Sequence, residues 1–192
     1  MGKIEICDSF QLPPGTRWEV FEANDEEKDM VVDGYNILAR AKGPAFLVEH
    51  SSLNHRFYTR ELWTNAISEN ADVVTRGKML GTIGHDQPID DKALLEGKIS
   101  HRVSKLWIDE NSKIPDHPNA RLGCIKILGL NTPAGRILNG YLRGGVQLPV
   151  SSRAFGDYLP EKRGEDRIVD SKNFLLETFD FVKNAGVSQE NL

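Results

Sequence analysis

The stretch Val150-Ser151-Ser152-Arg153-Ala154-Phe155-Gly156 follows directly on a helical pattern, and its reading decides what kind of molecule this is. Upstream, Thr132-Pro133 supplies an N-cap with proline at the first helical position. Ile137, Leu138, Tyr141 and Leu142 then make an apolar face, and Gly144-Gly145 stop the helix. Two adjacent hydroxyls and a fixed positive charge thus stand at a helix-to-strand junction. Neighbouring side chains of an extended strand point to opposite faces, so only one of the two serines can meet a given partner. A serine hydroxyl is a poor nucleophile at neutral pH unless a base takes its proton, and the oxyanion that follows needs donors or positive charge. His85, in Gly84-His85-Asp86, offers the base, and Arg153 returns to the face of the first serine as part of an anion site. These residue types together suggest a serine protease. The plain alternative is a polar strand end beside a loop histidine.

Outward from this junction, apolar runs of strand length alternate with turn signals, which points to a mixed α+β domain built around a sheet. Tyr35–Ala41 reads as one strand, and Pro44–His50 leads through another into a loop at Asn54. Thr59 is a candidate N-cap for a helix carrying Leu62, Trp63, Ala66 and Ile67 and ending near Asn70. Val103, Leu106 and Trp107 mark a strand, as do Ile125, Ile127 and Leu128 after the loop Pro115–Asn119, and together they suggest a hairpin. Gly156–Asp170 is dense in charge and glycine and reads as a solvated loop or loose hairpin tip, or as a substrate-gripping flap. Phe174–Val182 alternates as a last strand, and residues 184–192 read as a flexible tail.

The chain has 192 residues, 39% of them hydrophobic, enough for one core and short for two, so residues 1–192 are expected to form a single domain. Lys and Arg number 24 against 28 Asp and Glu, a net charge of −4 spread along the sequence, which gives no basic footprint for nucleic acid. No long apolar run marks a membrane span. Cys7 and Cys124 lie far apart and read as thiols in a reducing compartment. With five scattered histidines they form no recognisable zinc pattern.

Several segments resemble, in order, the prohead core proteases of tailed bacteriophages, capsid-maturation enzymes distantly similar in fold to herpesvirus assemblin. Asn54-His55-Arg56-Phe57-Tyr58 looks like the family's N-x-R-x-Y motif, and Leu80-Gly81-Thr82-Ile83-Gly84-His85 resembles its G-E-x-x-H-P segment, whose histidine is catalytic. Val150–Gly156 resembles G-V-S-S-R-G-x-G. Three positions depart from the pattern: Pro149 and Ala154 replace glycines, and Asp86-Gln87-Pro88 stands where proline directly follows the histidine. Pro149 bears most on the site, because a fixed φ and a missing N–H alter how the next strand is presented.

The resemblance implies an assemblin-like α+β fold with a mainly antiparallel sheet or barrel flanked by a few helices. It selects Ser151 as nucleophile and His85 as base, with Arg153 supporting the oxyanion and Ser152 turned away. Asp180, in a Phe-Asp-Phe-Val context like the family's F-D-x-V segment, is favoured as the third member of the triad. His101 is the alternative, since Ser100-His101-Arg102-Val103 resembles a motif of some relatives; Asp86, Asp90 and Asp91 are other acids within reach by sequence. The implied activity is hydrolysis of phage scaffold, core and major capsid proteins after glutamate during prohead maturation. It would proceed without a cofactor, in the host cytoplasm inside the immature prohead, with homo-oligomerisation as a means of switching on. Ser188-Gln189-Glu190 is a candidate self-processing site, whereas Leu175-Leu176-Glu177 reads as strand. Two other classes compete: an assembly protein that keeps the fold with a decayed site, favoured by Pro149 and Ala154, and a metal-dependent hydrolase using His85, Asp86 and Asp90.

Overall fold

A computed structural model describes residues 3–21, 37–86 and 88–184. Within them twelve strands and four helices make a mixed α+β fold of three sheets, paired almost throughout antiparallel. The largest has five strands in the order β2-β3-β8-β7-β6, with β2 Glu19–Phe21, β3 Ile37–Val48, β6 Leu80–Gly81, β7 His101–Asp109 and β8 Arg121–Leu130. A second, β1-β9-β12, joins β1 Ile4–Asp8, β9 Val150–Gly156 and β12 Leu175–Phe181. The third, β10-β11-β5-β4, joins β4 His50–Ser51, β5 Arg56–Tyr58, β10 Tyr158–Arg163 and β11 Asp166–Val169; in it β11 pairs parallel to β5.

The expected hairpin is β7–β8. The helix ahead of the serine strand is α4, Pro133–Arg143, with the Thr132 side chain accepting from Gly135 N and the chain leaving through Gly145 at φ 80°. Helix α1 (Arg60–Glu69) begins at the Thr59 cap and ends at Asn70; α2 (Ala71–Thr75) and α3 (Asp91–Leu95) are single turns. The inner face of α1 carries Leu62, Trp63 and Ala66 into the core. There the Trp63 ring stacks on Phe46 at 3.9 Å and on Tyr58 at 5.4 Å, and its Nε1 donates to Leu47 O at 3.2 Å. This satisfies the one polar atom of the largest buried side chain.

One expectation is corrected, and another is decided between its alternatives. The separate strands expected over Tyr35–Ala41 and Pro44–His50 are one, β3, while Tyr35 and Asn36 lie outside the described residues. Gly43 does not end the strand because the Trp18 ring occupies the space where a side chain would be, and Pro44 is tolerated at a register shift where the ladder needs no N–H. Within Gly156–Asp170 the chain forms an exposed hairpin, β10–β11, with a register shift between Tyr158 and Lys162 and a turn at Gly164, φ 64°. Its charges are anchored: the Arg163 guanidinium lies 4.1 Å from the Phe57 ring centre, and Arg56 and Arg167 both face the Tyr158 ring. The tail expected over residues 184–192 lies outside the described residues from 185 onward.

Candidate active site

The site is assembled on the middle strand of the three-stranded sheet. In the β9–β12 pairing, Ser151 stands opposite Asp180 and Arg153 opposite Thr178, after an irregularity between Leu176 and Thr178. Directly opposed residues share a face, so Ser151, Arg153, Thr178 and Asp180 lie together on one side of the sheet. Phe179 and Phe181 alternate to the other side, into the core.

His85 reaches this face from the segment that follows β6. Gly81 has to be glycine, because a Cβ there would lie 2.3 Å from the His101 ring and 2.5 Å from Phe179 O. Beyond it the chain clamps onto the end of β12: Phe181 N donates to Thr82 O at 3.1 Å, and Gly84 N donates to Phe181 O at 2.7 Å. Gly84, at φ 84°, then turns the backbone in a conformation that suits glycine, and His85 Nδ1 is brought 3.0 Å from Asp180 Oδ2.

Asp180 is fully buried and surrounded by donors. Oδ1 accepts from Thr82 N at 2.9 Å and lies 3.0 Å from Thr82 Oγ1. Oδ2 accepts from His85 Nδ1 and from Arg153 Nε and Nη2, at 2.8 and 2.7 Å. Burial works to raise its pKa, yet the His85 hydrogen bond, the Arg153 charge and the Thr82 N–H outweigh it and hold the carboxyl below its ordinary value. An ionised carboxylate can only accept, so His85 Nδ1 carries the proton and Nε2 the lone pair, the tautomer that a general base requires. The His85 side chain is 26% exposed, while Asp180 has no exposure.

Ser151 is 3% exposed, and its hydroxyl makes one long hydrogen bond, to Ser152 O at 3.5 Å; among the described residues it makes none to His85. Nucleophile–base contacts in unliganded sites are commonly loose and tighten only around substrate. Arg153 does lie on the Ser151 face, but its guanidinium is turned onto Asp180 rather than left open to a ligand. Ser152 points the other way, to Asp8 O at 3.3 Å.

The remaining candidates occupy other places. His101 is buried, with Nε2 3.0 Å from Phe179 O and Nδ1 2.9 Å from Ser100 Oγ. A carbonyl cannot donate, so Nε2 holds the proton and the ring is neutral; burial pulls its pKa down to about 4. Asp90 caps α3 by accepting from Ala93 N at 2.8 Å, which removes it from a set with His85 and Asp86. Among the described residues no three His, Cys, Asp or Glu side chains converge as ligands for a metal ion. Cys7, opposite Arg153 on β1, has its thiol pushed up to about 12 by burial and by Glu5 and so is not a thiolate; burial does the same to Cys124. Pro149 precedes β9 and its carbonyl accepts from Val182 N at 2.9 Å, while Ala154 is buried in the core opposite Ile6 and Leu176. By the alternation of β9, Ala154 lies on the face away from Ser151.

Two features escape the sequence reading. Asn54, Arg56 and Tyr58 converge on a second buried carboxylate, Asp8: Asn54 Nδ2 donates to Oδ1 at 2.7 Å, Arg56 Nη1 lies 3.2 Å from Oδ1, and the Tyr58 hydroxyl donates to Oδ2. Three polar residues two apart, two of them on one face of a strand, were the signal that a buried acid must meet them. The other is Thr82, for which a single threonine in sequence carries no signal.

The arrangement is a hydroxyl, an imidazole and a buried carboxylate on one face of an antiparallel sheet, a constellation suited to acyl transfer. The fold around it is shared with the bacteriophage T4 capsid assembly protease, gp21, with a TM-score of 0.70 at 15% sequence identity over 96% of this chain and 100% of that one. No protein-family model matches the sequence, and no curated protein matches it.

Proposed function

We propose that this chain is a serine endopeptidase of capsid assembly, with Ser151 as nucleophile, His85 as general base and Asp180 as the residue that orients His85. The observation that carries this reading is the His85–Asp180 hydrogen bond, formed opposite Ser151 on the same sheet face. In the mechanism, His85 Nε2 takes the proton of Ser151 Oγ as the oxygen attacks the substrate carbonyl, and Asp180 stabilises the imidazolium so formed. The tetrahedral intermediate collapses as His85 gives that proton to the leaving amine, and water then releases the acyl group by the same steps. Asp180 fills the orienting role in preference to His101, whose two ring nitrogens are both occupied in the core.

The fold likeness to a capsid assembly protease supports phage scaffold, core and major capsid proteins as substrates, and the assembling prohead in the host cytoplasm as the place of action. Cleavage after glutamate, self-processing at Glu190, kinship to assemblin, homo-oligomerisation and the absence of any cofactor belong to the same proposal. Arg153 would support the oxyanion only by a change of partner, since its guanidinium is held by Asp180. No helix among the described residues is long and apolar enough to cross a membrane.

The test is incubation of the protein and of its Ser151→Ala variant with scaffold peptides containing glutamate sites, with products read by intact mass. Cleavage by the parent alone supports the proposal, including loss of Asn191-Leu192 if Glu190 is cut. Silence from the parent with the cognate prohead core present would instead favour an assembly protein that keeps the fold without the activity.

A further inference from the structure

Thr82 contacts the Asp180 carboxylate, the Arg153 guanidinium and the carbonyl of the turn that leads into His85. It is fully buried, just beyond β6, and its backbone is fixed on both sides: its N–H donates to Asp180 Oδ1 at 2.9 Å and its carbonyl accepts from Phe181 N at 3.1 Å. Its hydroxyl oxygen lies 2.8 Å from Gly84 O, 3.0 Å from Asp180 Oδ1 and 3.4 Å from Arg153 Nη2. A hydroxyl has one proton and two lone pairs, so Thr82 Oγ1 can donate to only one of the two oxygens at a time while accepting from Arg153. Donation to Asp180 fixes the rotation of the carboxylate and leaves Oδ2 for His85. Donation to Gly84 O fixes the turn that carries His85. Either way the same atom ties the base to the acid.

We propose that Thr82 is a positioning residue, whose hydroxyl holds the Asp180 carboxylate and the Gly84–His85 turn in register so that the His85–Asp180 hydrogen bond is kept. This rests on the protease reading above. The backbone N–H of Thr82 would remain in any variant, so the role belongs to the side chain and is open to substitution. Valine has nearly the shape of threonine and lacks the hydroxyl, whereas serine keeps the hydroxyl and lacks the methyl.

The experiment compares Thr82→Val and Thr82→Ser with the parent in two readouts: steady-state cleavage, and the low-field proton resonance of His85 Nδ1–H. Thr82→Val should lower kcat about 10- to 100-fold with KM changed by no more than about threefold, because small misplacement of reacting groups is costly and binding is untouched. Its low-field resonance should broaden or vanish, and Thr82→Ser should restore both. A Thr82→Val protein with parental kcat and an unchanged resonance would overturn the proposal, as would a Thr82→Ser protein impaired as badly as Thr82→Val. If Thr82→Val does not fold, Thr82→Ala against Thr82→Ser makes the same comparison. A parent that shows the resonance but cleaves nothing even with the cognate prohead core present would defeat the protease reading, and loss of the resonance in Thr82→Val would still decide the role of Thr82.

Discussion

The two faces of strand β9 hold two buried carboxylates in different ways. On one face Ser152 meets the Asp8 strand, and Asp8 is enclosed by Asn54, Arg56 and Tyr58. On the other, Ser151 faces Asp180, which is held by Thr82, Arg153 and His85. Both acids have no exposure and both are well supplied with donors, as buried charge requires. What separates them is the kind of donor. The Tyr58 hydroxyl has its pKa pushed well up by burial and by Asp8, so no group around Asp8 gives up a proton near neutral pH. Asp180 instead meets the imidazole of His85, which is one-quarter exposed and whose second ring nitrogen can accept a proton. A closed network fixes β9 in place; an open one can pass a proton to what lies beside it.

The sharpest way to break this comparison is to remove one residue from each side. His85→Ala should lower the cleavage rate by ~10²–10⁴-fold and leave thermal stability nearly unchanged. Asp8→Ala should do the reverse: leaving Arg56 and Tyr58 without their shared acceptor should destabilise the fold by about 3–5 kcal/mol in chemical denaturation. Equal losses of stability in the two variants would mean that the networks do not differ in kind.

Acid should act next, through His101 more than through the site. The folded chain holds His101 neutral down to about pH 4, whereas an unfolded chain protonates it near 6.5, so the unfolded state binds more protons between these values. Stability should therefore fall as pH drops through that window, by on the order of 3 kcal/mol if His101 alone contributes. Asp180, whose pKa is lowered, adds stability that is present above about 3.8 and is lost at still lower pH. Denaturant titrations of His101→Gln against pH should lose most of the slope between pH 6.5 and 4.

The smallest effect concerns Thr178, opposite Arg153. Its hydroxyl is buried and has no hydrogen-bond partner among the described residues. Thr178→Val keeps the shape and removes the unsatisfied atom, and should raise stability by up to about 1 kcal/mol with cleavage unchanged. A loss of activity would show that this hydroxyl serves the reaction.

How much of this was legible in the sequence differs from element to element. Helix α4 and strand β9 were plain because a capped helix, a glycine stop and a strand follow one another within a few residues, and local signals suffice. β3 was misread as two strands because Gly43-Pro44 is an ordinary turn signal, and only the Trp18 ring, distant in sequence, makes it part of a strand. The alternation of Ser151 and Ser152 assigned them to opposite faces. Asp180 could be picked out by context but not tied to His85, since their contact spans 95 positions and depends on the register of β9 with β12. Asn54, Arg56 and Tyr58 stood out in sequence as strongly as the serines did, yet in the fold they enclose the buried Asp8; residue pattern alone does not tell a structural role from a chemical one.

The central claim, that Ser151 is the residue activated on this face, is tested most directly by reacting the protein with a fluorophosphonate and locating the adduct by peptide mass. The account predicts one adduct, on Ser151, absent from Ser151→Ala and from His85→Ala and retained in Ser152→Ala. An adduct that survives Ser151→Ala, or that is lost in Ser152→Ala while that variant remains folded, would contradict it.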